Sequence, residues 1–239
     1  MKIQARIRDA KRLAEESDQL THSLIPSIAK ATFNHEHWPM TTVEELVGRA
    51  NLKNGLSLKS DGLESDIRCL RLSAMRNGVI DCADSKPIAI APIQASPYLT
   101  RSDDVFIVRG NGSKDLVGQA GMVKDHLAGT IFPDLFIRVP LEKDRILPAF
   151  FVAWWNSPLM RDKIADVAKT TSGIWKINQG HIASLPVPVP PISGQLAALR
   201  QIEGYASRTA TLQSLRSASS AELQAVLPSL LNQAFSRQL

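Results

Sequence analysis

Four prolines fall within six residues in "SLPVPVPPISGQLAAL", residues 184–199. Proline fixes φ and offers no backbone N–H, so Pro186, Pro188, Pro190 and Pro191 exclude a helix interior and a central strand alike. What remains is a stiff extended strap. Directly behind it begins an Ala- and Leu-rich run with apolar residues at helical spacing. Pro191 suits the neighbourhood of the first turn, where its missing N–H is no loss, and Ser193 is the expected cap. The chain has built a rigid joint that aims a helix.

That helix has a counterpart at the other end. Ile3, Ile7, Ala10, Leu13, Leu20, Leu24 and Ile28 recur at spacings of three, four or seven, and Leu196, Leu199, Ile202, Leu212, Leu215, Leu223, Leu227 and Leu230 read as a second amphipathic helix. At the α-helical rise the two would span roughly 50 and 60 Å, more than a compact core needs, so pairing as a coiled coil is expected. The ends also repeat each other. "LIPSIAKATF" (24–33) aligns with "VLPSLLNQAF" (226–235) at a constant offset, placing Pro26 on Pro228, Ser27 on Ser229 and Phe33 on Phe235. A repeat at both ends implies the same structural task done twice.

Between the helices lies a mixed domain. "TVEELVG" reads as a short helix with Thr42 and Glu45 in capping-box spacing. Strands are expected in "DIRCLRL" (66–72), "DVFIVRG" (104–110), "GQAGMV" (118–123) and "LFIRVP" (135–140), then two helices broken at Pro158. The fold class is therefore α+β: a mixed α/β domain plus two long helices forming an antiparallel coiled coil. The expected boundaries are 1–34 for the N-terminal arm, 35–192 for the domain and 193–239 for the C-terminal helix.

Charge says little about partners on its own. The net charge is +5, but residues 34–192 carry 18 Lys or Arg against 17 acids, so any polyanion-binding surface there must be a local patch. Met1 opens onto charged, helix-forming sequence and no long apolar run follows, which predicts a cytoplasmic protein with no membrane partner. Cys69 and Cys82 are the only cysteines, in keeping with a reducing compartment.

No catalytic constellation emerges. The Gly-x-Gly of "RGNGSKDLVG" lacks a third glycine in register, and "HEH" (35–37) lacks further ligands in metal-binding spacing. "TTSGIW" is no nucleophile elbow. Neither the aromatic Pro-Pro-Tyr signature of amino-methyltransferases nor an Asp…Glu-x-Lys nuclease core is visible. No cofactor, metal or catalytic residue is expected, and the sequence argues for a binder.

Two polar stretches are candidates for binding. "VRGNGSKDLVGQAG" sets Arg109, Asn111, Ser113 and Lys114 among glycines that permit close backbone approach. "KTTSGIWKINQGH" (169–181) surrounds Trp175 with Lys169, Thr170, Thr171, Ser172, Lys176, Asn178 and Gln179. Lysines suit phosphates; amides and hydroxyls suit base edges. Lys114, Lys169 and Lys176 are thus the expected phosphate contacts. Asn111, Ser113, Ser172, Asn178 and Gln179 are the expected base-edge contacts, with Trp175 either stacking on DNA or anchoring the loop.

The order of "DDVFIVRGNGS…VGQAGMV", "FPDLFIRVP", "LPAFFVAWWNSP", "KTTSGIWKINQGHIASLPVPVPPISGQ" and a closing "LLNQAF" resembles a specificity subunit of type I restriction-modification systems, over essentially the whole chain. The resemblance implies a target recognition domain that reads one half of a split site in double-stranded DNA. It also implies helical arms that space such domains and dock methyltransferase (modification) subunits, with a restriction subunit where one is present. Full members carry two recognition domains, whereas one is read here, as in a C-terminal half or a half-subunit. A second copy, or another half-specificity subunit, would then fill the far end of the coil. Two other classes stay open on the residues alone: a DNA methyltransferase or nuclease with unrecognised motifs, and a stand-alone DNA-binding repressor.

Overall fold

The computed structural model describes residues 12, 27–28, 30–33, 37–57, 66–171 and 173–236. The chain divides into two compact units, Phe33–Leu199 and a second composed of Met1–Thr32 with Arg200–Leu239. In chain order the first unit holds β1 (Met40–Thr42), α1 (Val43–Val47), β2 (Lys53–Asn54), β3 (Arg68–Leu70), β4 (Met75–Arg76), β5 (Val79–Asp81) and β6 (Ser85–Pro87). There follow α2 (Pro92–Ala95), β7 (Val105–Val108), β8 (Gly110–Asn111), β9 (Ala120–Asp125), β10 (Thr130–Ile131) and β11 (Phe136–Val139). Then come α3 (Pro148–Trp155), α4 (Pro158–Val167), β12 (Lys169–Thr171), β13 (Ile174–Lys176), α5 (Gln179–Ala183) and β14 (Pro186–Pro188), and α6 (Ile192–Ser236) leaves this unit for the other.

The core is a six-stranded sheet in the order β2-β11-β7-β9-β5-β4. It is mixed rather than purely antiparallel, since β5 runs parallel to β9. All four residues of β7 are buried, as a strand covered on both faces requires. Phe106, Val108, Val123 and Phe136 pack with Leu70, Ile80 and Phe132 in one cluster. Helix α3 lies along β9 and carries the fully buried Phe150, Phe151 and Trp155. A smaller sheet, β10-β3-β6, flanks the first with Cys69, Ile88 and Ile131 beneath it.

The capping box at α1 forms as expected: Thr42 Oγ1 accepts from Glu45 N at 3.1 Å, and Glu45 Oε2 accepts from Thr42 N at 3.0 Å. The bond from Thr42 N, with one from the Thr41 hydroxyl at 2.7 Å, favours the ionised carboxylate and holds Glu45 below its ordinary pKa. The helix break also holds, with Pro158 at the first position of α4.

The proline strap is β14, and among the described residues it pairs with β1, in the register Met40↔Pro188, Thr41↔Val187 and Thr42↔Pro186. Trp154 Nε1 donates to the Pro186 carbonyl at 3.0 Å. Helix α6 starts at Ile192, so Ser193 lies inside the first turn instead of capping it. The lock is Gln195, fully buried: Oε1 accepts from Leu147 N at 2.8 Å, and Nε2 donates to the carbonyls of Arg145 (2.9 Å) and Pro190 (2.8 Å). Phe33 closes the same end, its ring 5.4 Å from Trp154 and 5.7 Å from Phe150. Most of the N-terminal arm lies outside the described residues, and with it the expected helix over 1–34 and its partner face.

Candidate nucleic-acid interface

The two polar stretches singled out in the sequence meet in space. β12, β13 and β8 form one small antiparallel sheet in that order, with Lys169 opposite Lys176, Thr171 opposite Ile174, Trp175 opposite Asn111 and Lys176 opposite Gly110. Thr171 pairs with Ile174 at the tip of this hairpin, and Gly173 there has the positive φ (+77°) that tight turns need. The stretch 169–181, read as a loop, is thus a hairpin followed by a short helix. Ser172 and the Thr171 side chain lie outside the described residues.

Alternation along β13 sorts the side chains into two faces. Ile174, 44% exposed, and Lys176 share one face with Lys169. Half-buried Trp175 lies on the other, with Lys114 Nζ 5.0 Å from its ring centroid, a cation–π contact that ties the first stretch to the second. The Lys176 stem lies over Gly110, where a Cβ would stand in ordinary contact with Lys176 Cγ at 3.5 Å.

The loop bearing Ser113 and Lys114 is held from behind by α3 and α4. Trp155 Nε1 donates to the Gly118 carbonyl at 2.8 Å, and Asn156 exchanges two hydrogen bonds with the Ala120 backbone. Arg161 Nη2 donates to the Asp115 carbonyl at 3.0 Å. Gly118, at φ +73°, has Ile164 where its side chain would stand, a Cβ there coming within 2.4 Å of Ile164 Cγ2. A rigid helix pair therefore presents an exposed polar loop, the usual way a scaffold carries a binding site.

Several predicted contacts have their polar atoms engaged by the protein. Asn111 Oδ1 accepts from Ser113 N at 2.8 Å, shaping the loop as an Asx turn. Asn178 caps α5, accepting from His181 N at 2.9 Å. Gln179 Nε2 donates to the Leu52 carbonyl at 2.6 Å, bracing α5 on the segment before β2. Arg109 is half-buried and reaches the Asp134 carbonyl at 3.4 Å. These four side chains position the sheet and its loops, while Ser113, Lys114, Lys169 and Lys176 stand exposed.

Among the described residues no group of three or more His, Cys, Asp or Glu side chains is placed to hold a metal ion. Of the His35–His37 triplet only His37 is described. No described helix is long and apolar enough to cross a membrane.

No protein-family model matches the chain. It is 29% identical over 189 residues to the specificity subunit of the type I restriction enzyme EcoKI from Escherichia coli (strain K12), covering 79% of this chain and 40% of that protein. It is 26% identical over 203 residues to the StySPI specificity subunit from Salmonella potsdam, covering 84% and 43% respectively. The chain is similar to type I specificity subunits over about four fifths of its length. It spans about two fifths of the length of these curated relatives.

The fold agrees with solved specificity-subunit structures. The HsdS subunit from Thermoanaerobacter tengcongensis matches at a TM-score of 0.63 and 15% identity, over 98% of this chain and 55% of that one. A structure of a type I R-M system, described for its complex assembly and conformational transition, matches at 0.70 and 16% identity, over 98% and 56%. Sequence reading missed the bracing role of Leu52, Gly118 and Arg161. Their partners lie far away along the chain, and only the positive-φ Gly118 left a local trace.

Proposed function

We propose that the chain is a non-catalytic DNA-recognition module whose domain, 35–192, reads one half of a bipartite site. The observation that carries this reading is the pairing of Lys169 with Lys176. Like charges directly opposite across two strands destabilise a sheet, and no carboxylate among the described residues pairs with either. A polyanion converts that cost into binding, because each neutralised phosphate releases condensed counterions. Exposed Ser113 and Lys114 beside the same sheet supply donors at its rim.

The terminal helices are the spacing and docking elements of this proposal, pairing antiparallel and receiving methyltransferase subunits in the cytoplasm. Its support is the compact unit of Met1–Thr32 with Arg200–Leu239, together with the end-to-end repeat. A second copy of the chain or another half-specificity subunit supplies the other recognition domain, and a restriction subunit joins where the system has one.

Exchange of residues 104–123 and 169–181 for those of a relative with another target tests the reading. The expected outcome is a changed methylated half-site, read by sequencing modified DNA from cells that carry the partner subunits. Exchange of 193–239 should leave the recognised bases as they were. An unchanged half-site after the loop exchange would remove recognition from the small sheet.

A further inference from the structure

At the foot of the hairpin, beyond the cations on β12, β13 and the adjoining loop, lies one more. Arg49 opens the single-turn helix Arg49–Asn51 behind α1 and is exposed. Its guanidinium rests along the backbone of α5. A Cβ at Gly180 would stand 3.2 Å from Arg49 Nη2, 3.4 Å from its Cζ and 3.2 Å from Asn178 Oδ1. Glycine is thus what lets a flat cation lie beside the residue that follows Lys176 and Ile177.

The neighbourhood is held firmly. α5 packs on both α1 and Arg49–Asn51, and Gln179 ties it to the Leu52 carbonyl. Other arginines of this unit are spent on the fold: Arg145 donates to the Leu46 carbonyl, Arg161 to that of Asp115, and Arg138 pairs with Asp104. Among the described residues Arg49 donates to no protein acceptor and faces no carboxylate. An exposed guanidinium lying beside α5 with its donors unspent is matched to a phosphate, which it meets bidentately.

We infer that Arg49, cradled by Gly180, is a further DNA contact: a phosphate-binding cation that extends the lysine face past the end of β13. The inference rests on the proposed DNA-reading function and adds to it a residue that neither polar stretch contains.

The test is fluorescence anisotropy of the full chain with a labelled duplex at several salt concentrations, comparing wild type with Arg49→Gln. The expected result is weaker binding by a similar factor on every duplex, with the salt slope reduced by about 1. Arg49→Lys should retain the slope. Gly180→Ala, which crowds the guanidinium by a few tenths of an ångström, should weaken binding in the same direction by less. Thermal melting of Arg49→Gln should match wild type. An unchanged slope in Arg49→Gln, with a lowered slope in Lys169→Ala/Lys176→Ala, would exclude Arg49 from the interface and leave the proposed function standing. Absence of duplex binding by wild type would overturn both.

Discussion

Arg138 on β11 and Lys176 on β13 are cations on neighbouring sheets, and the fold treats them in opposite ways. Arg138 is 13% exposed, pairs with Asp104 at 2.9 Å and also donates to the Leu99 carbonyl. Its guanidinium lies 4.6 Å from the Phe132 ring centroid and 5.5 Å from that of Phe106. Burial pushes the Asp104 carboxyl up and the Arg138 guanidinium down, and the attraction of each for the other opposes that. Lys176 has an exposed side chain, a like charge opposite and no carboxylate among the described residues. Gln195 belongs with Arg138, with its amide hydrogen-bonded on both sides. Charged groups that build the frame are partnered inside the protein, and the proposed function assigns the exposed, unpaired lysines to a partner from outside.

The sharpest way to break that contrast is to strip a frame group of its partner. Arg138→Leu leaves Asp104 buried without its counter-charge and should cost about 3–5 kcal/mol of stability, read by urea denaturation. Replacing both residues by apolar ones of similar size should recover most of the loss, since two desolvated charges then disappear together. A loss below about 1 kcal/mol in the single variant would mean that the pair does no more than a surface ion pair.

Next in size is the joint. Gln195→Leu keeps the volume but leaves Leu147 N–H and two carbonyls without their partner, a loss of about 2–3 kcal/mol. Its effect should appear as a lowered melting temperature with the affinity for DNA unchanged below the transition. Reduced affinity at full folding would move Gln195 from the frame to the interface.

How much of this contrast was legible in the sequence depends on the range of the interaction. Apolar runs placed β3, β7 and β11 inside the expected segments and β9 across the end of its own, and the Thr42–Glu45 spacing foretold a capping box, because both signals are local. Asn77-Gly78 was equally readable and went unread: both have positive φ and form the two-residue turn between β4 and β5. The hairpin over 169–176 was harder, since an exposed sheet gives up the apolar alternation that announces a strand. The pairing of β13 with β8 lies beyond any local pattern. So do the partners of Asn178 and Gln179, read as base contacts by residue type: within the fold Asn178 caps α5 and Gln179 donates to the Leu52 carbonyl. Residue type says what a side chain can bind; only the fold says whether it is already bound.

The smallest expected effect discriminates best, because its sign differs between the two kinds of region. If Lys176 were a frame residue, its replacement would destabilise the protein, as with Arg138. If it is held for a polyanion, Lys176→Gln removes a repulsion and should raise stability by about 0.3 kcal/mol at low salt. Salt screens exposed charges over about 10 Å at 0.1 M, so the gain should shrink as salt is added. The same substitution should weaken duplex binding and lower the salt slope by about 1. Lys169→Gln should behave alike, and the double variant should gain no more stability than either single one, because removing one partner already ends the repulsion. Urea denaturation at two ionic strengths, with anisotropy on the same samples, gives both readouts. A destabilised Lys176→Gln would place that lysine with Arg138, as part of the frame.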